Sequence, residues 1–295
     1  MAEYCLSCCS TADTSREHLA SRDIEWISFH YVLNGEDHLD DFWASTTPAE
    51  LYKKMLDGAE AHTSQVGVGE YVEYFRKFLD SGRDILHFTL SSGISGTHNS
   101  ACTAADMLRE QYPDRKIYVE DSLCASAGYG LFMDRLADLR DGGMGIDELR
   151  AWGLEHRLNV HHWFFTSDLT FFIKGGRVSR TSGFLGSVLG ICPLLNVSRD
   201  GSLEPREKVR TKKKVIARTV EKMVEYTGGA EDYTGKCFIS CSDCFDDAKA
   251  VADLIESKFP KMNGKVQLFN IGATVGVHTG PGTVALFFWG KERDN

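Results

Sequence analysis

Long apolar runs, proline and blocks of positive charge are all scarce in this sequence. No stretch approaches eighteen consecutive apolar residues, which excludes an ordinary membrane-spanning helix. The N-terminus MAEYCLSCCS has neither a basic flank nor a longer apolar segment of signal-peptide type, so the chain is expected to remain in the cytosol without stable membrane insertion. Only six prolines occur and no polar low-complexity tract, which argues against a disordered tail or a fibre. The one cluster of positive charge is TKKK at 211–214, where a helix should begin, and the formal net charge is −9. A surface of that sign is not built to neutralise a phosphate backbone, so nucleic acid is not an expected partner.

Cysteine is present but without a framework. Nine cysteines, an odd number with no regular spacing, suit a reducing compartment. Cys237 and Cys241 lie on a strand-like segment, about 13 Å apart at roughly 3.3 Å per residue, too far to share one zinc ion. Cys5 and Cys8 point to opposite faces if their strand runs through both. No paired C-x-x-C units carry zinc-site spacing, so buried free thiols are the expectation and no metal is assigned.

What is present is an alternation of strands and helices in 295 residues, 42% of them hydrophobic and 25% charged, a length suited to two domains. YCLSCCS starts as a strand and ends in the turn-rich STADTS; IEWISFHYVL is a second apolar stretch. TTPAELYKKMLDG carries a helix start, with Thr47 as N-cap, Pro48 in the first turn and Glu50 closing a capping box. Val72, Phe75 and Leu79 recur at helical spacing, followed by strand DILHFTL, helix THNSACTAADMLREQY, strand KIYVEDS and helix GYGLFMDRLADLR. That alternation implies parallel strands with crossover helices. Beyond residue 158 come an aromatic strand, a glycine-rich loop, two strands around an RDG turn, and two helix–strand units before a last strand. The expected fold is α/β with two domains: residues 1–158 as a three-layer α/β/α domain with a mainly parallel sheet, and 159–295 as a two-layer α/β domain with a mixed sheet.

Four loops carry chemistry. SSGISGTHNSA, after the strand ILHFTL, places hydroxyls and backbone N–H groups at the carboxyl end of a parallel strand, which suits an anion; Ser95 or Thr97 acting as a plain helix cap is the competing reading. The loop lacks the lysine of a phosphate-binding loop, and Gly93-Ile94-Ser95-Gly96-Thr97 misses the G-x-S-x-G elbow at its last position. HTSQVGVGE offers Thr63, Ser64 and Gln65, again as anion donors or caps. In KGGRVSRTSGFLGS, Arg177 and Arg180 would project from one side of a helical segment, suited to an oxyanion or to solvent. In GVHTGPGTVALFF, His278 sits between glycine-flexible turns before a terminal strand, as a site residue or a structural one.

STADTS, HTSQ, SSGISGTHNSA, YVEDS, KGGRVSRTSGFLGSVLGICPLLNV, DGSLEPREKVRTKKK and HTGPGTVAL, in this order, resemble the DegV family of bacterial fatty-acid-binding proteins over residues 3–290. The resemblance implies a protein that holds one long-chain fatty acid in a tunnel between its domains. It implies that the carboxylate is bound by Thr63 and Ser95, with Gly96, Thr97 and His278 beside it. It further implies an acyl carrier without a catalytic cycle of its own, whose partner is the catalytic subunit of a fatty-acid kinase, and assigns Arg177, Arg180, Arg210 and His278 to the phosphate or the kinase. The chain departs from the family in its first loop, where Cys9-Ser10-Thr11 replaces Asp-Ser-Thr; a hydrogen bond from that loop to its neighbours is put in question.

The residues agree with such a ligand on physical grounds, since hydroxyls recognise a carboxylate and an apolar wall buries its tail. Candidate walls are Phe164, Phe165, Phe171, Phe172, Phe184, Leu185, Val188, Leu189, Phe269 and Ile271. Two other classes remain: an enzyme on a small anionic substrate, hydrolase or phosphotransferase, using Ser95 and His278; and a regulatory protein whose lipid is a structural plug.

Overall fold

The computed structural model describes residues 4–179 and 190–294. Arg180, Phe184, Leu185, Val188 and Leu189 lie outside the described residues.

The chain runs β1 (Tyr4–Cys9), α1 (Arg16–Ser21), β2 (Ile24–Ile27), β3 (His30–Leu33), β4 (Glu36–Leu39), α2 (Pro48–Leu56), β5 (Ala61–Ser64), α3 (Val68–Asp80), β6 (Asp84–Thr89), α4 (Thr97–Arg109), β7 (Ile117–Asp121), α5 (Ser126–Asp141) and α6 (Ile146–His156). It continues with β8 (Val160–Phe165), α7 (Thr170–Lys174), β9 (Ile191–Val197), β10 (Leu203–Arg210), α8 (Lys212–Thr227), β11 (Cys237–Cys241), α9 (Phe245–Lys258), β12 (Gln267–Asn270), α10 (Ala273–Thr279) and β13 (Val284–Trp289).

The first sheet is parallel throughout, in the order β2-β1-β6-β7. Its two faces can be read from neighbouring residues of β6. His87 packs on Tyr71 and Phe75 of α3, while Phe88 packs on Phe132 of α5. Helices therefore cover both faces, the three-layer arrangement expected. Chain order reverses between β1 and β6, and the carboxyl ends of such a strand pair open a crevice in doubly wound folds. The SSGISGT loop starts from that crevice.

The second sheet is mixed, in the order β10-β9-β8-β13-β11-β12. Alternate residues of its strands divide between two cores. Phe165, Ile239, Leu286 and Phe288 face Val215, Met223 and Val251 of α8 and α9. Phe164, Leu195, Phe238 and Phe287 share a cluster with Tyr129 and Phe132 of α5. The two sheets thus have a common core, with α5 between them, where length alone suggested a separate core for each half.

A third sheet, β4-β3-β5, was not anticipated. IEWISFHYVL is broken into β2 and β3 at Ser28-Phe29, and HTSQ, read as a loop, is strand as far as Ser64. β3 and β5 pair antiparallel with Tyr31 opposite Thr63. This small sheet packs through Tyr31 and Leu33 on Tyr52 of α2 and Val277 of α10. The capping box of α2 forms as read: the Glu50 N–H donates to Thr47 Oγ1 and the Thr47 N–H to Glu50 Oε2.

Candidate ligand site

A cavity of about 390 Å³ lies between the two larger sheets. That is within the range of small-molecule sites. Most of its wall is apolar: Phe29, Leu90 and Ile94 on one side, Phe164, Phe172, Val197, Ile271, Ala285 and Phe287 on the other. Of the walls expected from sequence, Phe164, Phe172 and Ile271 line it. Phe165, its neighbour on β8, points to the opposite sheet face. Phe171 packs on Gly280 at the rim, and Phe269 meets Phe238 and His18 edge to face.

The polar groups gather where Thr63, Ser95, Gly96, Gln65, His278 and Arg177 meet. Thr63 reaches the site from the end of β5. His278 reaches it from α10, a helix where the sequence suggested only turns, and its Nε2 stands 2.7 Å from Thr63 Oγ1. The helix is anchored at its other end by Asp40, whose carboxylate accepts from the N–H groups of Ala273 and Thr274 at 3.3 and 3.2 Å. Nothing in HLDDFW singles out Asp40 as a helix anchor; only the packing of α10 against the β4 end brings it there. Burial, with the positive charge of Arg177 nearby, lowers the His278 pKa to about 4, so the ring is neutral at physiological pH.

The glycines of KGG and SGT gain a reason here. A Cβ on Gly175 would overlap His278 Nδ1, and one on Gly96 would meet Gln65 Oε1. Arg177 follows α7 rather than lying on a helix, and its guanidinium donates to the carbonyls of Ile94 and Gly175 at 3.3 and 2.6 Å. It therefore ties the Ser95 loop to the glycine loop that seats His278.

Ser95 lines the cavity, and its Oγ accepts from the Thr97 N–H at 3.2 Å. The helix cap itself is Gly96. Thr97 is turned away: it is fully buried, and its hydroxyl pairs with Tyr71 OH at 2.8 Å. Tyr71 OH also lies 3.4 Å from Cys9 Sγ. A chain Cys9–Tyr71–Thr97 thus joins the first loop to the SGT loop, so the contact put in question by the missing acid runs through a tyrosine. Arg210 ends β10 as an exposed residue and is not brought to the cavity.

Outside the Thr63–His278 pair lies a second depression, lined by Glu60, His62, Lys174, Arg177 and again Thr63 and His278. Thr63, Arg177 and His278 line both, so they stand between the apolar chamber and a depression with Glu60 and Lys174 on its wall. Among the described residues no group of three or more His, Cys, Asp and Glu could hold a metal ion, and no helix is long and apolar enough to cross a membrane.

An α/β chain with a parallel and a mixed sheet around an apolar chamber, closed at one end by hydroxyls, defines the class. The model of the DegV family, described as "Uncharacterised protein, DegV family", matches residues 9–291, and the chain belongs to that family. A DegV domain-containing protein of Clostridium perfringens is 31% identical over 294 residues, 100% of both chains. A solved Thermotoga maritima protein, reported to reveal a fatty acid binding function, is 26% identical with a TM-score of 0.81, covering 98% of this chain and 100% of that one. The B3 protein of the Streptococcus pneumoniae fatty acid kinase, loaded with linoleic acid, shares the fold at 21% identity and a TM-score of 0.83 over 100% of both chains.

Proposed function

We propose that this protein is a cytosolic fatty-acid carrier, which holds one long-chain fatty acid in the chamber and offers its carboxylate to a separate kinase for conversion to an acyl phosphate. The observation that carries the proposal is the Thr63–His278 pair, which borders both the apolar chamber and the depression beside Lys174 and Arg177. The carboxylate would take hydrogen bonds from Thr63 and Ser95, beside Gly96, whose missing side chain admits Gln65. In the tautomer with the proton on Nε2, His278 would donate to Thr63 Oγ1 and leave the threonine hydroxyl free to donate to the ligand. Arg177 and His278 border the side from which a phosphoryl group would arrive; Arg180 and Arg210 are proposed as more distant kinase contacts.

The tail supplies most of the affinity. At about 0.8 kcal/mol per buried CH₂, ten methylenes contribute roughly 8 kcal/mol before ordering costs. In this reading the chain divides into units 1–158 and 159–295, and the ligand lies between them. No catalytic cycle is required of the protein itself. A serine hydrolase would need His278 hydrogen-bonded to Ser95, whereas its Nε2 pairs with Thr63 and its Nδ1 lies against Gly175, which favours the carrier.

Mass spectrometry of ligand extracted from the purified protein tests the proposal, together with titration of a fluorescent fatty acid. The expected result is a long-chain acid in the extract and affinity in the micromolar range or tighter; a ligand-free protein with no such affinity overturns it. Acyl phosphate formation with a fatty-acid kinase and ATP separates a carrier from a protein whose lipid is a fixed plug.

A further inference from the structure

Cys241 and Cys244 stand apart from the other thiols of the chain. Cys241 is the last residue of β11 and Cys244 is the N-cap of α9, so C-S-D-C spans a strand-to-helix turn. Asp243 takes a left-handed conformation, φ 53°, which folds the chain back on itself between the two cysteines. Both side chains line one surface pocket of about 240 Å³, beside Thr47, Pro48 and Asn270. Of the nine cysteines only Cys244 and Cys102 are not buried, and they therefore present the thiols open to a reagent.

The turn also touches the chamber. The Cys244 thiol donates to the Thr283 carbonyl at 3.2 Å. Between the cysteines, Ser242 exchanges hydrogen bonds with the same stretch: its N–H donates to Thr283 O, and its Oγ and carbonyl accept from the N–H groups of Thr283 and Gly282. Thr283 lines the chamber and follows the HTGPG segment that bears His278.

We propose that Cys241 and Cys244 form a redox-active dithiol that closes to a disulfide by exchange with a low-molecular-weight disulfide, and that closure loosens the Thr283 wall of the chamber. The second part rests on the carrier reading above. In the first step Cys244, the more exposed thiol, passes its proton to the Cys241 sulfur as it attacks one sulfur of the reagent; a mixed disulfide forms and one reagent thiolate leaves. Cys241 then attacks the Cys244 sulfur, the internal S–S bond forms, and the second reagent thiolate leaves. Two electrons pass from the pair to the reagent, and the two thiol protons end on the released thiolates or in solvent. The closeness of the two thiols lowers the Cys241 pKa and raises that of Cys244, so Cys241 is the side that takes up the Cys244 proton and, on losing it to the released thiolate, makes the resolving attack. Closure removes the thiol proton that Cys244 shares with Thr283 O.

The test equilibrates the full chain with oxidised and reduced glutathione, quenches in acid, alkylates free thiols and maps the peptides. Cys241 and Cys244 are expected joined, with Cys102, which has no resolving neighbour, held as the glutathione mixed disulfide. Cys244 left free or stopped at the mixed disulfide while Cys102 reacts overturns the dithiol. Release of a fluorescent fatty acid is then timed on oxidised and reduced protein. Oxidation is expected to speed release on the order of threefold, an effect absent in Cys244→Ser; equal rates overturn the coupling to the chamber. A protein that binds no fatty acid in either state defeats the carrier reading, and the peptide map still decides the dithiol.

Discussion

Thr63 and His278 are 215 residues apart in sequence and share a hydrogen bond of 2.7 Å. The bond joins the small antiparallel sheet to α10 and sets the direction of both polar groups at the mouth of the chamber. Thr63→Val keeps the shape and removes the hydroxyl. It is expected to weaken long-chain fatty-acid binding about tenfold, the value of one hydrogen bond to a charged group. Displacement of a fluorescent fatty acid measures this, and Ser95→Ala should show a loss of the same order. Unchanged affinity in both variants would place the carboxylate elsewhere.

Acid should destabilise the fold through its buried neutral histidines. Burial lowers His278 and His161 to about 4 and His87 to about 3, against an ordinary value of 6.5. Between pH 6.5 and 4 the unfolded chain takes up protons that the folded chain refuses, so stability falls as pH falls through that window. The expected slope is about 1.4 kcal/mol per pH unit for each such histidine. Urea unfolding midpoints at pH 7, 5.5 and 4.5 should decline in that order.

A bound carboxylate opposes that downward shift at His278. A negative charge beside the ring favours imidazolium, so fatty acid is expected to raise the His278 pKa above about 4. NMR titration of the histidine ring signals, with and without ligand, shows the shift; an unmoved His278 would mean that no carboxylate lies near it.

Gly175→Ala tests how His278 is seated. Its new Cβ would occupy the place of His278 Nδ1, so the ring must move and the bond to Thr63 must lengthen or break. Weaker fatty-acid binding is expected with little change in thermal melting, because the glycine lies on a partly exposed turn after α7.

Ile271→Phe tests the chamber as a tail site. Ile271 is 1% exposed and forms part of the wall, so a larger side chain there takes ligand volume. The acids that co-purify should shift to shorter chains in the extracted-ligand mass spectrum.

Much of this was legible along the chain because it is local. The capping box at Thr47 and Glu50, the helix spacing of Val72, Phe75 and Leu79, and the β9–β10 hairpin around its RDG turn each depend on residues within a few positions. The helix that carries His278 was not legible. ATVGVHT is rich in β-branched residues and flanked by glycine, and it is held as a helix by Asp40, more than two hundred residues away in sequence. The same limit applies to Thr97. Its neighbour Ser95 faces the chamber and Thr97 faces Tyr71, a division between two hydroxyls two residues apart that depends on the exact start of α4.

By itself the sequence determined the alternation of strands and helices, the family and the residue types at the site, because propensity, capping and motif order are written along the chain. The tertiary structure alone decided that Thr63 would meet His278, that Phe164 would face the chamber while Phe165 faces α8 and α9, and that one core would span both large sheets. Those choices depend on strand register and on packing between distant segments, where a shift of one residue reverses the face a side chain presents.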